Sequence, residues 1–153
     1  MIINNFMQIK IPSRSQNEAF ARTAAAAFAA QLDPTVEEIN DIKAAVSEAV
    51  TNCIVHAYPD SIGGIEITAR IQNNDTFYIR IKDKGAGIAD VKQAMLPLFT
   101  TCAEGERAGL GFAVMESFMD KLKVTSTPAK GGTGKTGTTV IMSKRVKSRN
   151  EQD

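Results

Sequence analysis

The sequence predicts an α+β fold: a two-layer α/β sandwich with a mostly antiparallel mixed sheet and its helices on one face. Three observations lead there. Alternating apolar and polar segments come in neighbouring pairs, as in Ile65 to Ile71 and Phe77 to Ile81 around the turn Asn73-Asn74-Asp75. Helical periodicity falls in consecutive pairs, giving the order β-α-α-β-β-α-α-β-β in place of the strict βα alternation of a doubly wound sheet. A chain of 153 residues suits one domain with its own core. We place that domain at residues 1–143 and a polar, flexible C-terminal tail at 144–153.

Phe6 to Ile11 alternates and reads as a strand ended by Pro12. Ser15-Gln-Asn-Glu18 fits a capping box, so an alanine-rich helix follows to about Leu32, where Asp33-Pro34 breaks it. Thr35-Val-Glu-Glu38 offers a second capping box, and a helix runs from it to about Tyr58. Its apolar stripe is Ile39, Ile42, Val46, Ala49, Val50, Cys53 and Ala57, at spacings of three and four. Pro59-Asp60 and Gly63-Gly64 turn the chain into the hairpin. Asp90 can cap a short helix to about Leu96. The stretch from Leu98 to Arg107 lacks periodicity and reads as a loop. Gly109-Leu-Gly111 opens the apolar helix Phe112 to Met119, and Leu122 to Thr127 and Thr138 to Met142 are the last two strands.

A formal charge of +1 gives no general attraction to nucleic acid or membrane, and no apolar run is long enough to span a bilayer. The N-terminus lacks the regions of a signal peptide. Cys53 and Cys102 form no metal or redox spacing; Cys53 reads as a small core residue and Cys102 as a free loop thiol. These features lead us to expect a cytoplasmic protein.

Four motifs carry chemistry. Glu48, Asn52 and His56 recur every four residues, which stacks them on one stripe beside the apolar face of their helix. A carboxylate there can accept a proton, and an amide oxygen can hold a hard cation. The same stripe also describes a solvated helix edge, and His56, the only histidine, is expected to be structural. Asp83-x-Gly85-x-Gly87 follows a strand directly; the aspartate can accept from an exocyclic amine such as that of adenine, while glycines let backbone approach a ligand. Gly109-x-Gly111 lies where a helix N-terminus offers free amides to an anion, with Arg107, Thr100 and Thr101 just before it. Gly131 to Thr136 is not a P-loop: Ala129 stands where its first glycine belongs, and a strand follows. Gly137-Thr138 precedes the final strand.

In this order the four motifs resemble the ATP-binding fold shared by gyrase, Hsp90, sensor histidine kinases and MutL. Ser15-Gln-Asn-Glu-Ala-Phe-Ala-Arg22, Ala30-Gln-Leu-Asp-Pro34, Val46-Ser-Glu-Ala-Val-Thr-Asn52, Pro97-Leu-Phe-Thr-Thr101 and Gly111-Phe112 with Met115-Glu-x-Phe-Met-Asp120 are similar to the small serine-kinase branch of that fold. That branch comprises the anti-sigma factors of spore-forming bacteria, the anti-sigma-F factors most closely. The resemblance covers about Met7 to Met142; the glycine-rich segment Pro128 to Lys135 is longer than the family pattern suggests.

The resemblance implies an ATP:protein serine/threonine kinase with ATP and Mg²⁺ as cofactors. Glu48 matches the catalytic base and Asn52 the Mg²⁺ ligand. Asp83 matches the adenine-binding carboxylate, with Gly85, Gly87 and Thr138 shaping the pocket. Thr100, Thr101, Arg107, Gly109 and Gly111 match the lid and phosphate-binding segment. Arg22 matches a residue of the surface that takes the sigma factor and the anti-anti-sigma factor, the latter being the protein substrate. A homodimer holding one sporulation sigma factor is implied; separately, the N-terminal strand, left at a sheet edge, is expected to be a dimerisation element. The alternatives are a kinase directed to a stress-response sigma factor, a sigma-binding module that uses nucleotide only for its shape, and an ATPase in which Glu48 activates water.

Overall fold

Among the described residues, five strands and four α-helices follow one another in the expected order. The computed structural model describes residues 1–95, 108–128 and 135–147, and only the backbone of 108–110. Strand β1 (Ile3–Pro12) leads to α1 (Gln16–Ala29), a 3₁₀ turn (Ala30–Leu32) and α2 (Val36–Asn52), which continues as a π-helical turn (Cys53–Ala57). The hairpin β2 (Gly64–Gln72) and β3 (Thr76–Asp83) comes next, then α3 (Val91–Ala94), α4 (Ala108–Phe118), β4 (Lys121–Thr127) and β5 (Gly137–Arg145). The spatial order is β1-β2-β3-β5-β4. All four pairings are antiparallel, so the parallel component of the expected mixed sheet is absent among the described strands. β5 enters between β3 and β4, which leaves β1 and β4 at the edges.

Alternation decides which face of the sheet is covered. Ile65, Ile67, Ala69 and Ile71 of β2, with Phe77, Ile79 and Ile81 of β3, are all buried toward the helices. Ile42, Val46, Ala49 and Val50 of α2 meet them, and Met115 of α4 closes the same core. Ala21, Ala25 and Ala29 fall four apart on α1 and are buried where it packs on α2. A ridge of such small residues lets the two helix axes come close. The Asn73-Asn74 turn holds both residues at positive φ (55° and 59°), a region asparagine tolerates better than most.

The second capping box forms. Thr35 Oγ1 accepts the Glu38 N–H at 3.1 Å, and the Thr35 N–H donates to Glu38 Oε1 at 3.0 Å. The first does not. Ser15 already has helical dihedrals (φ −58°, ψ −32°) and makes no side-chain cap bond. Glu18 is drawn instead to the Ser47 hydroxyl of α2 and to Arg22. A tertiary contact has taken the carboxylate that the local motif would have used.

The boundary of the tail also needs correction, because β5 runs through Lys144 to Arg145. Lys144 Nζ donates to the Phe118 carbonyl at 2.8 Å and pairs with Asp41 at 3.6 Å. A cation at the carbonyl end of α4 complements that helix's dipole. Val146 is buried, its N–H donates to the Asp75 carbonyl, and the Lys147 N–H donates to Glu38 Oε2. Residues 144–147 therefore belong to the fold, while 148–153 lie outside the described residues.

Thr35→Ala is expected to lower unfolding free energy by about 0.5–2 kcal/mol in urea titrations. Ser15→Ala should change it by no more than about 0.5 kcal/mol. Equal losses at the two positions would contradict the difference between the two caps.

Candidate active site

The C-terminal half of α2 and the ends of β3 and β5 enclose a cavity of about 410 Å³, closed on its other side by the chain from Ala86 to Ala94 and by Phe112. Asn52, His56, Asp83, Asp90, Gln93 and Thr138 supply its polar side chains. The cavity exists because α2 does not stop at its last α-helical residue. The wider π turn carries Cys53, His56 and Ala57 along the same wall.

Asp83 is the most constrained polar group of the cavity, at 4% exposure. Its Oδ1 accepts the N–H of Gly85 at 3.0 Å and of Thr138 at 3.2 Å, and its Oδ2 accepts from Cys53 Sγ at 3.5 Å. Burial pushes its carboxyl pKa up, and the bonds from Gly85, Cys53 and Thr138 pull against that. A carboxylate fixed by backbone donors keeps acceptor capacity for a donor in the cavity. Burial and the charge of Asp83 raise the Cys53 thiol well above its ordinary range, so it is a poor nucleophile.

The two glycines of the loop have distinct reasons. A Cβ on Gly85 would stand 2.3 Å from the Ala57 carbonyl oxygen, which also accepts the Ala86 N–H at 2.9 Å. The loop is thus fastened against the π turn and has no room for a side chain. Gly87 has φ +76°, and its missing Cβ would fall 2.3 Å from the Thr127 carbonyl oxygen.

Glu48 and Asn52 meet α4 at one point. A Cβ on Gly111 would lie 3.3 Å from Asn52 Nδ2 and 3.4 Å from Glu48 Oε2. The absence of a side chain at Gly111 lets the carboxylate and the amide sit side by side under this helix. Asn52 faces the cavity; Glu48 stands at its margin and does not line it.

The structure thus brings Asn52, Asp83, Gly87 and Thr138 onto one cavity, with Gly85, Glu48 and Gly111 directly behind or beside it. Gly109 is in the first turn of α4, described by its backbone only. Thr100, Thr101, Arg107, Cys102 and most of the rejected P-loop stretch lie outside the described residues. Arg22 is elsewhere, on α1, beside a second hollow of about 340 Å³ lined by Glu18, Ser47 and Thr51 among others. Its Nε is 3.5 Å from Glu18 Oε1, an ion pair without hydrogen-bond geometry.

Two supporting residues escaped sequence reasoning. Ser126 Oγ accepts the Ile88 N–H at 2.7 Å and shares a 2.8 Å hydrogen bond with Thr138 Oγ1, tying the loop to β5. The alternation Leu122, Val124, Ser126 could have revealed it, since it places a hydroxyl at an inward position. Tyr58 accepts the Lys84 N–H at 2.7 Å and donates to the Gly64 carbonyl at 2.9 Å, bracing the start of the same loop. No local pattern marks it.

Burial lowers the His56 pKa from its ordinary 6.5. The unfolded chain then takes up a proton that the folded state refuses, so stability falls as pH drops through about 6.5. Asp83, with its raised pKa, acts in the opposite sense toward 3.8, so a difference measurement is needed. Urea midpoints between about pH 7 and pH 5.5 should fall less in His56→Gln than in the native protein. Parallel curves would remove the buried neutral histidine.

Residues 11–144 match the family model described as histidine kinase-like ATPase domain. The chain is 63% identical over 131 residues to the anti-sigma F factor of Caldanaerobacter subterraneus subsp. tengcongensis, covering 86% of this chain and 91% of the relative. It is 54% identical over 145 residues to the anti-sigma F factor of Clostridium novyi, covering 94% and 96%. Among solved structures, the RsbU and RsbW domains of a Mycobacterium tuberculosis protein align with a TM-score of 0.65 at 18% identity, over 94% of this chain and 32% of that one. The mycobacterial sensor histidine kinase MprB aligns at 0.56 and 12% identity, over 93% and 99%. These two share the fold. The chain belongs to the anti-sigma F factor family, within the histidine kinase-like ATPase domain family.

Proposed function

We propose that this protein inhibits a sporulation sigma factor and, using Mg²⁺ and ATP, phosphorylates a serine of an anti-anti-sigma protein. The observation that carries the proposal is the shared cavity of Asp83 and Asn52, with Glu48 beside Asn52 under Gly111. Asp83 accepts the adenine amine. Gly87 and Thr138 border the base, and the Asp83 bonds to Gly85 and Thr138 hold the acceptor in place before nucleotide arrives.

Asn52 and Glu48 then stand where the phosphates extend. Among the described residues no three His, Cys, Asp or Glu side chains converge. Mg²⁺ held by substrate phosphates needs only one or two protein oxygens, so the Asn52 amide fits it. The ion neutralises charge on the phosphates. Glu48 receives the proton of the attacking serine as the serine oxygen bonds to the γ-phosphorus and the bond to ADP breaks. Arg107, Thr100, Thr101 and Gly109 are assigned to the phosphate segment by family resemblance.

Ser47 and Glu48 are successive residues of α2, and Ser47 reaches the hollow beside Arg22. We assign that hollow to the protein partners, which brings a bound substrate to the helix that carries the base. The β1 edge, where Ile3 is exposed, is assigned to a homodimer, which light scattering should detect.

Transfer of γ-phosphate from ATP to a purified anti-anti-sigma protein is the direct test. Glu48→Gln should reduce transfer by at least about 10²-fold while ATP affinity stays within about threefold. Steady phosphate release without acceptor, lost in the same variant, would instead identify an ATPase. Asp83→Asn turns a donor toward the adenine amine, so ATP binding should be lost while unfolding free energy changes by no more than about 1 kcal/mol. Full transfer by Glu48→Gln would exclude Glu48 as the base.

A further inference from the structure

The face of the sheet away from the helices is strongly basic, although the chain's formal charge is only +1. The register fixes which side chains share it. Thr68 pairs with Arg80, Arg80 with Ile141 and Ile141 with Lys123; Phe6 pairs with Arg70, Arg70 with Tyr78, Tyr78 with Ser143 and Ser143 with Lys121. A third row runs Lys10, Glu66, Lys82, Thr139 and Thr125. Among the described residues of these rows, Lys10, Arg70, Arg80, Lys82, Lys121 and Lys123 face a single carboxylate, Glu66, which Lys10 approaches at 3.7 Å. No helix of the described chain covers this face, since the helices pack on the opposite one.

Two further features accompany the charge. Phe6 is 62% exposed on this face, and Arg70 lies over the Tyr78 ring at 5.1 Å from its centroid. Hydroxyls of Thr139, Thr125 and Ser143 stand between the cations. A solvated sheet face normally mixes both signs of charge, and opposite charges across strands stabilise it. This face forgoes most such pairing.

We propose that it binds single-stranded nucleic acid, with the cations on phosphates and a base stacked on Phe6. The spacing suits a flexible single strand: neighbouring strands of a sheet are about 4.8 Å apart, so the cations form a shallow array several strands wide. Aromatic rings on a sheet surface accept bases without regard to sequence, and a duplex could not reach them. This surface is distinct from the nucleotide cavity and from the hollow beside Arg22, so its test does not depend on kinase activity.

Fluorescence anisotropy of a labelled 20-nucleotide oligothymidylate, with the full chain and saturating Mg-ATP present, reads binding away from the nucleotide cavity. With about four phosphate contacts, log K should fall against log salt with a slope of about −3. A slope shallower than about −1, or no binding at about 50 mM salt, would overturn the proposal. The double variant Arg80→Glu, Lys123→Glu should bind at least about tenfold more weakly, and Lys43→Glu on α2 should bind as the native protein does. Phe6→Ala should lose about fivefold or more with an unchanged salt slope; no loss would overturn the stacked base. Displacement of the oligonucleotide by an equal concentration of polyglutamate would assign the face to an acidic protein and overturn it as well.

Discussion

The site depends on one buried carboxylate. Asp83 is the last residue of β3, at 4% exposure, and it is held by backbone donors from the loop that follows it and from β5. Removing such a group from water is costly unless its oxygens are bonded, and the bonds it makes join three separate parts of the chain. Gly85 can reach Asp83 only by passing against the Ala57 carbonyl. Thr138 can reach it only because β5 inserts beside β3. The unusual strand order and the glycine loop are therefore two halves of one solution to the burial of a charge.

The π turn belongs to the same constraint. An ordinary α-helical continuation of α2 would place the next turn at a different angle and move the Ala57 carbonyl from its contact with Ala86. The turn gives Cys53 its bond to Asp83 and sets His56 against the cavity wall. Partial burial there lowers the histidine's pKa from its ordinary 6.5. A helix that packs its apolar stripe on the sheet thus ends by presenting polar groups to a cavity.

Much of this was legible in the sequence. Alternation marks β1, β2 and β3, and the apolar stripe of α2 is legible nearly complete, with Ala45 its one buried omission. The order of four weak motifs pointed to residues the fold does assemble, Asn52, Asp83, Gly87 and Thr138 among them. What escaped was tertiary. The Ser15 cap failed because Glu18 found Ser47 on another helix. The tail was cut too early because polar composition conceals that Lys144 and Val146 have partners on α4 and in the β2–β3 turn. Tyr58 and Ser126 brace the loop through contacts with no sequence period.

Helix α2 carries different neighbours on successive residues. Ser47 points to Glu18 near Arg22, Glu48 to Gly111 of α4, Ala49 and Val50 to the core, and Asn52 to the cavity. The helix turns about 100° per residue, so four environments fit within two turns. The core residues between them fix the rotation of the helix: burying Ala49 and Val50 determines where Glu48 and Asn52 must point. A side chain at position 111 of α4 would press on both the carboxylate and the amide. The residues that face the core, the cavity and the hollow beside Arg22 thus lie on one helix.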